Sequence, residues 1–99
     1  MGGMRPIPAS LEALPNVGPA IAADLRLIRI RISSDLNGKN AYTFYNALCD
    51  KTRQRRDPCV LDTFLAAVDF ASGAAMRLWW AHTKQRKAHL KQHPEAIRW

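Results

Sequence analysis

The stretch that decides the fold is LPNVGPAIAADL, residues 14–25. It combines a tight turn with the start of a helix. Asn16 and Gly18 are residue types that accept a positive φ at little cost. Pro19 suits the first turn of a helix, because an amide at that position has no partner within the helix. The sequence therefore predicts a turn followed by a helix over residues 19–28.

The same stretch resembles the helix-hairpin-helix motif, whose pattern is Leu-Pro-Gly-Ile/Val-Gly, three residues, Ala, two residues and Leu. The positions that match in register are Leu14, Pro15, Val17, Gly18, Ala22 and Leu25. The resemblance implies a hairpin that holds a backbone phosphate. A glycine allows close approach, and the helix start that follows offers N–H groups and the positive end of a dipole. Such a hairpin reads no base sequence.

Three residues depart from the motif. Asn16 stands where the motif has Gly, Ala20 stands where DNA-binding examples often carry Lys, and Pro19 removes one amide donor. A second hairpin, expected around residues 29–36, lacks its Gly because Arg29 stands there. The alternative interpretation is that the turn only joins two packed helices, as it does in domains that bind proteins.

The rest of the chain also predicts helices, and no segment shows the alternating pattern of a strand. Ser10, Asn40, Asp57 and Thr83 are predicted N-caps, and Gly73 is a predicted C-cap. The predicted helices are residues 11–14, 19–28, 41–52, 58–72 and 84–92. The fold class is thus all-α with about five helices, in which an N-terminal helix-hairpin-helix motif packs on a small helical bundle.

Length and composition limit the possible functions. The chain has 99 residues, of which 47% are apolar, so it fits one domain with a real core. The predicted organisation is a flexible N-terminus (1–9), a single domain (10–87) and a basic C-terminal tail (88–99). No apolar run approaches the roughly 20 residues that span a bilayer, so no membrane partner is expected. The net charge of +7 favours an anionic partner, nucleic acid first.

The basic residues fall in three clusters, at residues 26–31, 51–56 and 77–98. The last holds six basic residues against the single acid Glu95. Each cluster is either a solvated surface or an electrostatic footprint for phosphates. The candidate nucleic-acid contacts are Asn16, Val17, Gly18, Ala20, Ile21, Arg26, Arg29, Arg31, Lys84, Arg86 and Lys87.

Further segments extend the resemblance to most of the chain. They are residues 14–27, 48–49, 57–62 and 67–70, the pair Trp79-Trp80, Thr83 and Lys87. Together they are similar to the small bacterial pathogenicity-locus family of helix-hairpin-helix proteins, some of which are labelled mitomycin resistance proteins. The resemblance covers about residues 11–87 and implies little about activity. The tail lies outside it.

The two cysteines predict no metal site, because their spacing does not fit the paired-Cys patterns of zinc sites. Cys49 and Cys59 are both predicted to be core thiols. A reactive Cys59 is the alternative, since a helix start and the nearby Arg55 and Arg56 lower a thiol pKa.

No other catalytic arrangement is visible, so we expect no enzyme, no cofactor and no metal. Asp62 and Asp69 lie seven residues apart on one helical side, which is typical of a solvated face or of a partner for Arg. One residue of the Trp79-Trp80 pair is expected to anchor the C-terminal segment while the other lies partly exposed. Stacking on an unpaired base is the functional alternative for this pair. Trp99 is expected to be disordered or held by a partner.

The sequence therefore predicts a small module that binds nucleic acid, most readily DNA, through backbone phosphates. The alternative is a protein-interaction or self-association module. DNA against RNA, and duplex against single strand, stay open at this point. The absence of a secretory pattern at the N-terminus, with only two cysteines, predicts a cytoplasmic location.

Overall fold

A computed structural model describes residues 9–74 and 78–99. Within this part of the chain every regular element is helical, which confirms the all-α class. The α-helices are α1 (Pro19–Leu27), α2 (Ala41–Thr52), α3 (Pro58–Ala71) and α4 (Thr83–Gln92). Short 3-10 turns lie at Leu11–Ala13, Ser33–Leu36, Trp79–His82 and Pro94–Ala96.

The first of the five predicted helices is a single 3-10 turn, Leu11–Ala13, so the described residues contain four α-helices. Leu14 leaves this turn in extended backbone (φ −75°, ψ 144°), because the residue before a proline disfavours the helical region. Leu11 and Leu14 are both buried. The turn therefore contributes to the core although it is too short to be an α-helix.

The two central helices begin where their capping residues predict. The Asn40 side-chain oxygen accepts the N–H of Tyr42 at 2.8 Å, and the Asp57 carboxylate accepts the N–H of Cys59 at 2.8 Å. The bond to Asp57 lowers the pKa of that carboxyl group. Gly73 follows α3 with a φ of 103°, the left-handed backbone that favours glycine after a helix. These three local predictions are confirmed.

The other two predicted caps are wrong. Ser10 precedes the first 3-10 turn but caps nothing, and its hydroxyl instead donates to the Glu12 carboxylate at 3.3 Å. Thr83 is the first residue of α4, and its hydroxyl donates to the Asp62 carboxylate at 2.8 Å. Asp62 is fully buried, and a buried carboxylate needs hydrogen-bond donors more than an exposed helix end does.

Helix α3 is the centre of the fold and is buried on almost every side. Its side chains Leu61, Phe64 and Val68 are buried, while Val60 and Leu65 are partly buried. Helices α2 and α4 and two of the 3-10 turns pack around it. A helix in that position has little room for charged residues, and α3 holds only two of them.

The predicted flexible N-terminus lies outside the described residues except for Ala9, whose carbonyl accepts the N–H of Ser33 at 3.0 Å. None of the described helices is both long enough and apolar enough to cross a membrane.

Candidate nucleic-acid interface

The turn before α1 is the centre of the predicted interface. Leu14 and Val17 are buried, and the Val17 N–H donates to the Leu14 carbonyl at 3.2 Å. Asn16 takes a φ of 69°, the left-handed conformation that Asn tolerates better than most residues. Gly18 is exposed. The two apolar side chains thus fix the turn to the core and leave Gly18 at the surface.

Helix α1 starts without a capping side chain, because Gly18 is its N-cap. The first backbone bond of the helix joins the Ala22 N–H to the Gly18 carbonyl at 2.9 Å. The N–H groups of Ala20 and Ile21 precede that bond and point out of the helix start. A Cβ atom added at Gly18 would meet nothing within 4 Å, and the φ of −89° suits any residue. Internal packing therefore does not explain the glycine.

A second turn follows α1. Arg29 has a φ of 70°, and the Ile30 N–H reaches back to the Leu25 carbonyl at 2.9 Å, which closes the helix in the way a glycine normally does. The Asp35 carboxylate then accepts the N–H of Arg31 at 2.9 Å and that of Ile32 at 3.3 Å. These backbone bonds lower the pKa of Asp35. The expected second hairpin thus keeps a left-handed turn without its glycine.

The two turns lie at opposite ends of α1. Nine residues at about 1.5 Å each separate them by about 13 Å along the helix axis. Arg29 and Arg31 both border the second turn and are exposed. The structure therefore places these two predicted contacts at one end of α1, and Gly18, Ala20 and Ile21 at the other.

Arg26 is held in an ion pair. Its two terminal nitrogens donate to the two Glu12 oxygens at 2.8 and 2.7 Å, which joins α1 to the first 3-10 turn. The bond from Arg26 lowers the Glu12 pKa from 4.5 to about 2. Arg26 therefore ties the last turn of α1 to the Leu11–Ala13 turn, and Glu12 offsets its charge.

The Glu12–Arg26 pair predicts a pH effect on stability. Because the Glu12 pKa is lower in the folded chain, the pair stabilises the fold fully above pH 4.5 and loses its contribution as the pH falls through about 2. Chemical unfolding across this range should show a smaller pH-dependent loss for Glu12→Gln than for the unchanged chain. Identical pH dependence of the two proteins would contradict a role for this pair.

Helix α4 separates its basic residues into two groups. Arg86 points inward, where its Nε and one terminal nitrogen donate to the Asp62 carboxylate at 2.6 and 3.3 Å. Asp62 is fully buried, and the Arg86 side chain is 12% exposed. Lys84 and Lys87 are exposed. The structure therefore gives Arg86 a packing role and leaves the two lysines at the surface.

The C-terminal residues dock on α2. The Asn46 side chain donates to the Ala96 carbonyl at 2.8 Å and accepts the Arg98 N–H at 3.0 Å. The Asp50 carboxylate accepts bonds from Arg98 at 2.6 Å and from the Trp99 indole at 2.8 Å, and these bonds lower its pKa. The expectation of a disordered or partner-held Trp99 is wrong, because α2 supplies an acceptor for its N–H.

The arginines with a direct ion-pair partner do not gather at one face. Besides Arg26, Arg86 and Arg98, Arg56 approaches the Asp24 carboxylate at 3.5 Å and ties the loop before α3 to α1. Arg29 and Arg31 make no direct ion pair within the described part of the chain. Within the described residues, exposed cations without a direct ion pair lie at the second turn, on α4, at Lys39 and at residues 51–55.

A family model described as Pathogenicity locus matches residues 5–88. The chain belongs to the pathogenicity locus family. Mitomycin resistance protein McrB of Streptomyces lavendulae is 37% identical over 79 residues, which are 80% of this chain and 75% of that protein. No solved structure matches the chain.

The pathogenicity locus match confirms the family resemblance and agrees with its expected extent. It includes both turns, the first three helices and the part of α4 that carries Arg86. It ends at residue 88, so the tail that docks on Asn46 and Asp50 lies beyond it.

The two thiols of this pathogenicity locus protein differ in their surroundings. Cys49 is buried, as predicted, but Cys59 is exposed, so its prediction as a core thiol is wrong. The Asp57 carboxylate raises the pKa of Cys59 through a hydrogen bond, with desolvation as the next cause. The nearby carboxylate thus acts against the lowering predicted from the helix start and the neighbouring arginines. The raised pKa therefore argues against the alternative that Cys59 is a reactive thiol.

Among the described residues, no three His, Cys, Asp or Glu side chains gather closely enough to hold a metal ion. Asp62 is the Arg partner that one interpretation predicted, whereas Asp69 is half-exposed and lies 3.7 Å from the Nδ1 atom of His82. Trp80 is 56% exposed, and the side chain of Trp79 lies outside the description.

Proposed function

We propose that the chain binds nucleic acid by contacting backbone phosphates without reading the base sequence. In this proposal the segment from the first 3-10 turn through α1 forms a helix-hairpin-helix unit packed on the other helices. The observation that carries it is Gly18, an exposed N-cap whose backbone and open surroundings leave room for close approach. A phosphate at this position would accept hydrogen bonds from the N–H groups of Ala20 and Ile21 at the start of α1. The proposal assigns binding and no catalytic step.

The exposed basic residues would add the long-range attraction. Arg29 and Arg31 lie at the far end of α1, and Lys84 and Lys87 lie on α4. Arg86 is omitted from the proposed contacts because Asp62 already occupies its guanidinium. DNA is the proposed partner because duplex DNA carries one backbone charge per about 1.7 Å of its axis, a dense row of phosphates for a basic surface.

Fluorescence anisotropy of labelled DNA, titrated with protein at several salt concentrations, tests this function. Each phosphate neutralised on duplex DNA contributes about −0.9 to the slope of log affinity against log salt. The four basic residues assigned to the contact therefore predict a slope of about −3 to −4, with equal affinity for unrelated sequences. Absence of binding at low salt, despite the net charge of +7, would contradict the proposal.

Arg29→Gly is expected to change stability and affinity in opposite directions. The left-handed φ of 70° costs an arginine about 1 kcal/mol that glycine avoids, so the variant should unfold at higher denaturant concentration. Loss of the cation should weaken DNA binding several-fold and reduce the salt slope by about 1. Urea unfolding and anisotropy measure the two effects.

Arg53→Gly is the matched control for this variant. Arg53 also has a positive φ, 55°, after α2, and its replacement removes the same charge. It should gain stability by a similar amount while keeping most of its affinity for DNA. If both glycine variants weaken binding equally, general charge explains the attraction and the second turn has no special part.

A protein-interaction role is the second candidate, favoured by exposed apolar side chains beside the second turn. Leu27 and Ile32 are each 46% exposed and flank Arg29 and Arg31. Light scattering of the purified chain tests self-association. A discrete oligomer that Leu27→Ser or Ile32→Ser converts to a monomer would favour this candidate over DNA binding.

A further inference from the structure

A cleft lies between the loop before α2, one side of α3 and α4, and none of its lining residues belongs to the turn before α1. Its volume of about 350 Å³ is at the lower end of the range for small-molecule sites. Leu65 and Val68 of α3 line it with apolar surface, and Lys39, Asp69 and Gln85 line it with polar groups. An apolar surface with a few convergent polar groups is the usual composition of a ligand site.

One wall of the cleft is fixed by aromatic contacts. The rings of Tyr42 and His89 stack with centroids 4.6 Å apart and an interplanar angle of 26°. His89 also lies beside His93, with ring centroids 4.9 Å apart and an interplanar angle of 37°. Tyr42 thus covers one face of His89, and a ligand would meet the remaining surface of this ring and the aliphatic side chains of α3.

Behind the cleft lies a buried polar group without a partner. His82 is 1% exposed, and within the described residues neither ring nitrogen makes a hydrogen bond. Its Nδ1 atom is 3.7 Å from an oxygen of Asp69, whose side chain is 45% exposed and lines the cleft. A buried donor or acceptor left unpaired is costly, and such groups are rare without a role. Asp69 thus stands between an unpaired imidazole and an open cleft.

We propose that this cleft binds a guanine nucleotide, with the base against Leu65 and Val68 and the phosphate on Lys39. The Asp69 carboxylate would accept two hydrogen bonds from the adjacent ring N–H and amino group of guanine. A carboxylate offers two oxygens side by side, which matches that pair of donors. The Gln85 amide would then donate to the guanine carbonyl. Thymine presents a carbonyl on each side of its single N–H, so Asp69 disfavours it.

Guanine with a phosphate occurs both as a free nucleotide and as an unpaired base in a nucleic-acid strand. If the ligand is a strand, the inference rests on the proposed function, which is nucleic-acid binding. Calorimetric titration of the full-length chain with deoxyguanosine monophosphate, deoxythymidine monophosphate and inorganic phosphate tests the site. Single strands that end in guanine or in thymine then distinguish the sources. Tighter binding of the guanine-ending strand would identify a strand as the ligand of the cleft. Equal affinity for the two strands, with binding of the guanine mononucleotide retained, would identify the free nucleotide as the ligand.

Asp69→Asn should weaken binding of the guanine mononucleotide by about tenfold, because it removes charge-assisted hydrogen bonds. Glu95→Gln is its control, since it removes the same charge from an exposed acid that does not line the cleft. Lys39→Ala should weaken binding of the mononucleotide but not of guanosine, which carries no phosphate. Circular dichroism checks that each variant is folded. If Asp69→Asn does not fold, Lys39→Ala still tests the site independently.

Equal binding of the guanine and thymine mononucleotides, or no binding of either, would overturn the inference. So would an Asp69→Asn variant with unchanged affinity. The cleft and the first turn can fail separately. A chain that binds the guanine mononucleotide but no duplex DNA contradicts only the proposed function. A chain that binds duplex DNA but not the mononucleotide contradicts only the cleft.

Discussion

Asp62→Ala is expected to lower the free energy of unfolding by about 3–5 kcal/mol. It leaves the guanidinium of Arg86 without its charge partner, together with the Thr83 hydroxyl, in a place where water reaches neither easily. A domain of this size is stable by about 5–15 kcal/mol, so the loss is a large share of the total. Urea unfolding followed by circular dichroism measures it.

Asp69→Ala is the matched control, because it removes the same charge from the same helix at a half-exposed position. Its cost should stay below about 1 kcal/mol. Combining Asp62→Leu with Arg86→Met should recover much of the stability, since well-packed apolar side chains often replace a buried ion pair without loss. Equal small losses for both alanine variants would show that the buried pair does not hold α4.

Gly18→Asp is expected to abolish most DNA binding without harming the fold. Aspartate is a favoured N-cap and interacts well with the positive end of α1, so stability should stay constant or rise by up to about 1 kcal/mol. Its carboxylate would occupy the position proposed for the phosphate and repel it. We expect affinity for duplex DNA to fall by more than about tenfold, measured by anisotropy at constant salt.

Gln54→Glu controls for net charge in this experiment. It makes the same change of charge at an exposed residue between α2 and α3 that does not line the cleft. Its effect on duplex affinity should be no more than about twofold, the size of a general charge effect outside the contact. If both variants lose affinity to the same degree, the first turn is only a connection between helices.

Local signals explain how much of the fold could be predicted. Asn40, Asp57 and Gly73 act through atoms a few residues away, so their neighbours in the sequence suffice to place the ends of α2 and α3. The left-handed turn at Asn16 belongs to the same class. For the proposed interface, the sequence identified the turn and the basic residues but could not show which arginines are occupied.

The burial of Asp62 and Asn46, and the identity of their partners, could not be predicted because those partners are distant in the chain. Asp62 meets Arg86 across 24 residues, and Asn46 meets Ala96 across 50. A polar residue in a helix is usually solvated, so the identity of these two residues does not indicate that they are buried. One signal was available for Asp62: α3 is apolar around nearly its whole circumference, which is typical of a central helix. No comparable signal marks Asn46.

The way in which Asn46 holds the tail has an evolutionary consequence. Its amide contacts a carbonyl and an N–H of the main chain, groups that every residue but proline possesses. Substitutions at positions 96 and 98 can therefore accumulate without removing these two bonds. Relatives that keep an asparagine on this side of α2 should retain a docked C-terminus even where the composition of that segment has diverged beyond alignment.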